Sequence, residues 1–293
     1  MPSPKIDLRR LAQFVAVAEL GSFTRAAATL HLSQQALSSA VRALENDVGA
    51  DLFTRDGRRI SLTTAGRTLL AEGKPLLAAA RTVAEHVRQT EAAAQAHYVI
   101  GHTPALSGAE AYALIEPAVT AYPSTSFTLR QLYPDALTDA VFDGTVQLGL
   151  RRGVVPTPEL ATAVIGYHRV RVAFVDSHPL AARESVDITE LAREQVALWA
   201  PPGTSYYSDF LMGACRRAGF EPDYVVSRVQ GAATVAAPLT TGGIAFVTAA
   251  AGPTMNGRVQ VVDLTPPLLV PVQALWQRHT LSAIRDRILE GLG

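Results

Sequence analysis

Between Gln35 and Val48 the sequence sorts polar and apolar side chains at helical spacing. Gln35, Ser38, Ser39 and Arg42 fall on one face, and Leu37, Val41, Leu44 and Val48 on the other. A glutamine amide can bond an adenine edge through two hydrogen bonds, while serine hydroxyls and an arginine suit mixed base and phosphate contacts. The chemistry on offer is readout of a DNA groove, although a polar face on an amphipathic helix is more often simply solvated. A second cluster follows. Leu52-Phe53-Thr54-Arg55, Asp56-Gly57 and Arg58-Arg59-Ile60-Ser61-Leu62 read as two strands around a tight turn, with Arg55, Arg58 and Arg59 gathered on the hairpin. Beside a reading helix such a hairpin is a wing whose arginines can reach phosphates or a minor groove. Without that neighbour it would be a solvated charged turn.

Elements that could position these residues are legible upstream. Asp7 is placed to cap a helix carrying Leu11, Phe14, Val15 and Ala18, which Gly21 ends. Ser22 can cap a shorter helix through Ala26, Ala27 and Leu30. Ser33 can then cap the helix with the polar face, and Gly49 stops it. Three short helices, the second and third joined by a tight turn, let one helix enter a major groove while its predecessor braces it.

The 293-residue length accommodates two domains, and 48% apolar against 18% charged residues argues for ordered globular structure. Net charge is zero, with +2 over residues 1–66 and −3 over 97–293, so bulk charge does not point to nucleic acid. The single cysteine, Cys215, excludes an internal disulfide and a thiolate metal cluster. It falls inside a predicted helix and reads as a packed thiol. His97 and His102 lack a third plausible ligand, and no nucleophile elbow, phosphate-binding loop, dinucleotide fingerprint or zinc-protease motif occurs. Neither catalysis, nor a metal, nor a cofactor is expected. No leader-like or membrane-crossing stretch is evident, so the expected location is the cytoplasm.

From Leu8 to Gly66 the sequence resembles the LysR family of bacterial transcription regulators. The resemblance rests on Phe14, Gly21-Ser22-Phe23, Ala26-Ala27, Ser33-Gln34, Leu44-Glu45, Leu52-Phe53, Leu62-Thr63 and Gly66. By position, the family's DNA contacts fall on Gln34, Gln35, Ser38 and Ser39 of the recognition helix and on Arg55, Arg58 and Arg59 of the wing. Gln35 stands where many members have proline and Ser39 where many have arginine, so the operator preference of better-known relatives does not transfer.

Residues 64–94 are almost free of turn signals, and Leu69, Leu70, Leu76, Leu77, Ala80, Val83, Ala84 and Val87 recur near helical spacing. One long helix is expected, bent at Pro75. In LysR-type regulators the equivalent helix pairs two subunits, which implies a homodimer or homotetramer; packing within the chain is the alternative.

After Ala96, short β-branched runs alternate with helical stretches, the mark of βαβ units and a mainly parallel sheet. Strands are expected at 98–101, 127–132, 146–150, 170–175, 196–199, 224–229, 244–247 and 259–262, too many for one small sheet, which points to two α/β subdomains around a cleft. The resemblance continues through Val172-Ala173-Phe174-Val175, His178-Pro179-Leu180-Ala181 and Ala218-Gly219-Phe220-Glu221-Pro222. It implies an effector domain like periplasmic solute-binding proteins, with chain crossings near 165–168 and 266–269.

The expected fold is therefore α+β. It comprises a winged helix-turn-helix over 1–66, a linker and dimerisation helix over 67–95, and a two-subdomain α/β effector domain over 96–293. Subdomain I takes about 97–166 and 269–293, and subdomain II about 167–268. Strand ends and helix N-termini should line the cleft. They select Thr103, Pro104, Ser107, Tyr133 and Arg152 from the first subdomain, and Pro202, Gly203, Thr204, Tyr207 and Thr248 from the second. Arg152 could hold a carboxylate, making the effector a small organic acid; an arginine bridging to an acidic neighbour is the competing reading. The expected partners are double-stranded promoter DNA, the effector, a second copy of the chain and RNA polymerase.

Overall fold

The computed structural model describes residues 6–56, 59–92, 97–227, 229 and 234–290. It opens with α1 (Leu8–Leu20), α2 (Phe23–Thr29) and α3 (Gln34–Val48). Each begins at a side-chain cap. The Asp7 carboxylate accepts from the Arg9 and Arg10 amides at 2.8 and 3.1 Å, the Ser22 hydroxyl from Arg25 at 3.3 Å and the Ser33 hydroxyl from Ala36 at 3.1 Å. Leu11, Phe14, Val17, Leu37, Val41 and Leu44 are buried, which fixes the mutual packing of α1 and α3.

The hairpin of β1 (Phe53–Asp56) and β2 (Arg59–Leu62) follows, paired antiparallel from Phe53 opposite Leu62 to Asp56 opposite Arg59. Phe53 anchors it, its ring 5.3 Å from that of Phe14 and 5.6 Å from that of Phe23.

Helix α4 (Thr64–Ala92) then leaves the domain, with Pro75 inside it. Its start is pressed against the hairpin: a Cβ at Gly66 would lie 2.1 Å from the Leu52 carbonyl oxygen, so only glycine fits. Leu69, Leu70, Leu76 and Leu77 pack on the cluster of Leu11, Phe14, Leu44 and Leu52, so part of the apolar stripe is used within the chain. Val83 and Val87 are more than half exposed. The same helix leans on the C-terminal region, with Lys74 Nζ 5.9 Å from the centre of the Phe142 ring and Glu72 3.6 Å from Arg278.

The C-terminal region runs β3 (His97–His102), α5 (Gly108–Ala121), β4 (Ser126–Gln131), α6 (Pro134–Phe142), β5 (Leu148–Arg152), β6 (Leu160–Val175), β7 (Ser185–Asp187), β8 (Val196–Leu198), α7 (Tyr206–Arg217), β9 (Tyr224–Val226), α8 (Ala237–Thr241), β10 (Ala245–Val247), β11 (Gly252–Thr254), β12 (Val259–Gln277) and α9 (Ala283–Glu290). The main sheet has the order β10-β6-β12-β5-β3-β4, with β7 and β11 also paired to β12. This differs from the expected mainly parallel sheets. β3 is parallel to β4 and β5, but β12 is antiparallel to both β5 and β6. The 16-residue β6 and 19-residue β12 run side by side through both halves and join them in one sheet. Their partners slip register between Asp263 and Leu268, where Pro266 and Pro267 supply no ladder N–H.

Two main cores flank these strands. One collects Ile100, Leu114, Ile115, Leu148, Leu150, Val272, Ala274 and Ile288, and the other Val172, Phe174, Leu198, Leu211, Met212, Phe246, Val262 and Leu264. No helix among the described residues is long and apolar enough to cross a membrane.

Candidate DNA-reading face and effector cleft

On α3, Gln34, Gln35, Ser39 and Arg42 are exposed and Ser38 is half-buried, opposite the buried Leu37, Val41 and Leu44. The exposed residues share one solvent face because the apolar stripe holds the other against α1. Thr24 of α2 reaches Gln34 Oε1 at 3.4 Å, which ties the bracing helix to the reading helix. Glu45, unmarked as a functional residue in the sequence, links α3 to the wing. Its Oε1 accepts from the backbone N–H of Leu52 at 2.9 Å and of Phe53 at 3.4 Å. The backbones of Arg55 and Arg59 lie in the paired strands. Arg58 and Gly57 at the tip lie outside the described residues.

In the C-terminal region the structure brings Ser107, Arg152, Tyr207 and Thr248 together around a residue the sequence reading missed, Glu110. Arg152, 2% exposed at the end of β5, is pinned by chain segments from both cores. Its Nε donates to the Ala105 carbonyl at 2.7 Å, and its Nη2 donates to Glu110 Oε1 at 2.6 Å and to Thr248 Oγ1 at 2.5 Å. Nη1 lies 3.1 Å from His168 Nδ1, and the guanidinium sits 5.6 Å from the centre of the Tyr207 ring. Thr248 also donates to Glu110 Oε1, and the Ser107 amide and hydroxyl donate to Oε2 at 2.9 and 2.7 Å.

Burial alone would raise the Glu110 carboxyl, but His168, the Arg152 charge, Thr248 and Ser107 outweigh it and hold the group well below the usual carboxylate range. Burial pushes the Tyr207 hydroxyl up to about 12, against the opposing pull of Arg152.

The expectation that Arg152 stands ready for a ligand carboxylate is corrected here: its donors are spent on the protein, and it bridges to an acidic neighbour. The signal that could have revealed Glu110 was the Ser107-x-x-Glu110 capping box at the start of α5.

The remaining expected residues are distributed around this cluster. Thr103 is buried, its amide donating to the Leu150 carbonyl, and Pro104 is half-buried beside it. Tyr133 is exposed, with its ring 6.0 Å from that of Trp199. Pro202 is half-buried, while Gly203 and Thr204 form an exposed turn before α7 whose bonds go to Asp209 and Pro201 rather than to the cluster. A Cβ at Gly153 would collide with the Tyr206 ring at 1.8 Å, so α7 and the end of β5 meet closely. No group of three or more potential metal ligands occurs among the described residues. His102 Nδ1 is engaged with the Leu106 carbonyl at 2.8 Å, and Cys215 is a buried free thiol pushed up to about 11 by desolvation.

Residues 8–67 match the model of the bacterial regulatory helix-turn-helix protein of the lysR family, and residues 91–290 match the LysR substrate binding domain. The chain is 34% identical over 256 residues to the uncharacterized HTH-type transcriptional regulator YnfL of Escherichia coli strain K12, covering 82% of this chain and 80% of that one. In fold it is similar to full-length OxyR from Pseudomonas aeruginosa (TM-score 0.59, 18% identity, covering 98% of each chain). It is also similar to full-length CbnR crystallised with its target DNA (TM-score 0.58, 21% identity, covering 98% of this chain and 99% of that one). With its helix-turn-helix, its effector-binding region and these relatives, the chain belongs to the LysR family of DNA-binding transcription regulators.

Proposed function

We propose that this regulator reads promoter DNA through Gln34, Gln35, Ser38, Ser39 and Arg42 of α3 and through Arg55, Arg58 and Arg59 of the wing. The observation that carries the reading is the exposed polar face of α3 on a helix whose opposite face is buried and whose Glu45 fixes the wing beside it. Glutamine amides then select bases while the arginines set register on phosphates. Two copies pair along α4, where Val83 and Val87 offer exposed apolar surface, to give a homodimer or homotetramer with spaced half-sites. A small molecule enters between the two cores, near Thr103, Pro104, Ser107, Tyr133 and Arg152 on one side and Pro202, Gly203, Thr204, Tyr207 and Thr248 on the other. It shifts the balance between promoter-bound states, and the output passes to RNA polymerase. The protein works in the cytoplasm without catalysis or cofactor.

Mobility shifts on the DNA upstream of its own gene test this. Retardation is expected, with affinity falling steeply as salt rises. Absence of salt-sensitive binding to that DNA and to neighbouring promoters refutes the reading.

A further inference from the structure

A cleft that takes an anion needs a cation or a helix N-terminus with free donors. This chain has both in one place, and one side chain satisfies both. Glu110 Oε1 takes the buried Arg152 guanidinium at 2.6 Å, and its Oε2 takes the Ser107 amide and hydroxyl at the N-terminus of the 14-residue α5. Thr248, at the end of β10 beside the other core, closes the cluster by donating to the same carboxylate. Arg152 spends its remaining contacts on the Ala105 carbonyl and His168.

We propose that Glu110 is the specificity-determining residue of the cleft, a built-in carboxylate that occupies the anion site and excludes acidic ligands. The inference rests on the reading of this cleft as the effector site. A second carboxylate arriving here meets a guanidinium already neutralised and a like charge beside it. Two buried donors nearby are unpaired among the described residues, the Trp199 indole N–H and the Tyr207 hydroxyl. Tyr207 lies under Arg152, and Trp199 faces Tyr133. They suit an acceptor atom on an uncharged molecule with a flat apolar body.

The test is calorimetry on the full-length protein at fixed ionic strength, with acetate, benzoate and benzamide as probes. Wild type is expected to give no saturable heat with acetate or benzoate. Glu110→Gln should bind both anions about tenfold or more tightly than wild type, the gain of one charge-assisted contact. The double variant Glu110→Gln, Arg152→Gln should lose that gain. A folded Glu110→Gln protein that takes the anions no better than wild type overturns the proposal. So does a wild-type protein that prefers benzoate to benzamide, a comparison that needs no variant. If Glu110→Gln gains benzoate while no uncharged metabolite stabilises the wild type, the effector reading falls and the role of Glu110 stands.

Discussion

Replacing Glu45 by alanine should loosen the wing from the reading helix, and the cost can be worked from the contacts. The carboxylate holds two backbone donors, Leu52 at 2.9 Å and Phe53 at 3.4 Å. A hydrogen bond to a charged acceptor contributes about 1.5–3 kcal/mol, and an unsatisfied buried donor costs about 1–3 kcal/mol. Leu52 is 1% exposed, so water cannot readily replace its lost partner. The Phe53 bond is long and the site only partly buried, which brings the sum to about 2–3 kcal/mol. Glu45→Gln keeps a neutral acceptor and should lose only about 1 kcal/mol.

The two tryptophans, Trp199 and Trp276, both lie in the C-terminal region, so the readouts separate. In urea unfolding of the full chain, the helical signal of the N-terminal domain should shift to lower denaturant while tryptophan fluorescence stays in place. Promoter affinity should fall with it, because a wing that wanders must be ordered on binding. A change in helical stability below about 0.5 kcal/mol, or an equal shift of the fluorescence transition, refutes the reasoning.

Other expectations follow from the same structure. Glu110 has a carboxyl held below its ordinary value of 4.5, so its stabilisation is present above that value and is lost as pH falls towards the folded one. Glu110→Gln should therefore be less stable than wild type at neutral pH, by about 3 kcal/mol, and the gap in melting temperature should narrow below pH 4.5; a gap that is constant down to pH 3 contradicts the pairing. Gly153→Ala forces a side chain into φ 92° against Tyr206 and should cost about 2 kcal/mol or more, read as an earlier fluorescence transition. Arg42→Ala should weaken promoter binding and reduce the salt slope by about one if the side chain meets a phosphate, which a salt titration of mobility shifts measures. Val83→Asp on the exposed stripe of α4 should shift sedimentation towards the monomer, and an unchanged mass argues against pairing along that helix.

The parts of the fold that the sequence announces are those set by neighbours in the chain. Asp7, Ser22 and Ser33 bond amides two or three residues away, so capping residues and glycine stops mark the three N-terminal helices closely. The long strands were only half visible. Residues 170–175 read as a strand, but 160–169 alternate exposed and buried positions too weakly to stand out, and Pro266, Pro267 and Pro271 disguise the middle of β12 as loop. The cleft followed the same rule. Arg152, Tyr207 and Thr248 were picked from their places at strand ends and a helix start. Glu110 was not, because its pairing with Arg152 spans 42 residues and leaves no local pattern beyond a capping box that any helix could carry.

The pairing of β6 with β12 also sets a timetable. Residues 160–175 find their partners only in residues 259–277, roughly a hundred positions later, and both main cores draw side chains from that last segment. During synthesis neither half of the sensor can close until this strand leaves the ribosome. The three helices and hairpin at the N-terminus need nothing beyond the first turns of α4 and can be complete long before. A growing chain thus carries a finished DNA reader ahead of an open, apolar sheet, and it is in that interval that the protein is most exposed to misassembly with its neighbours.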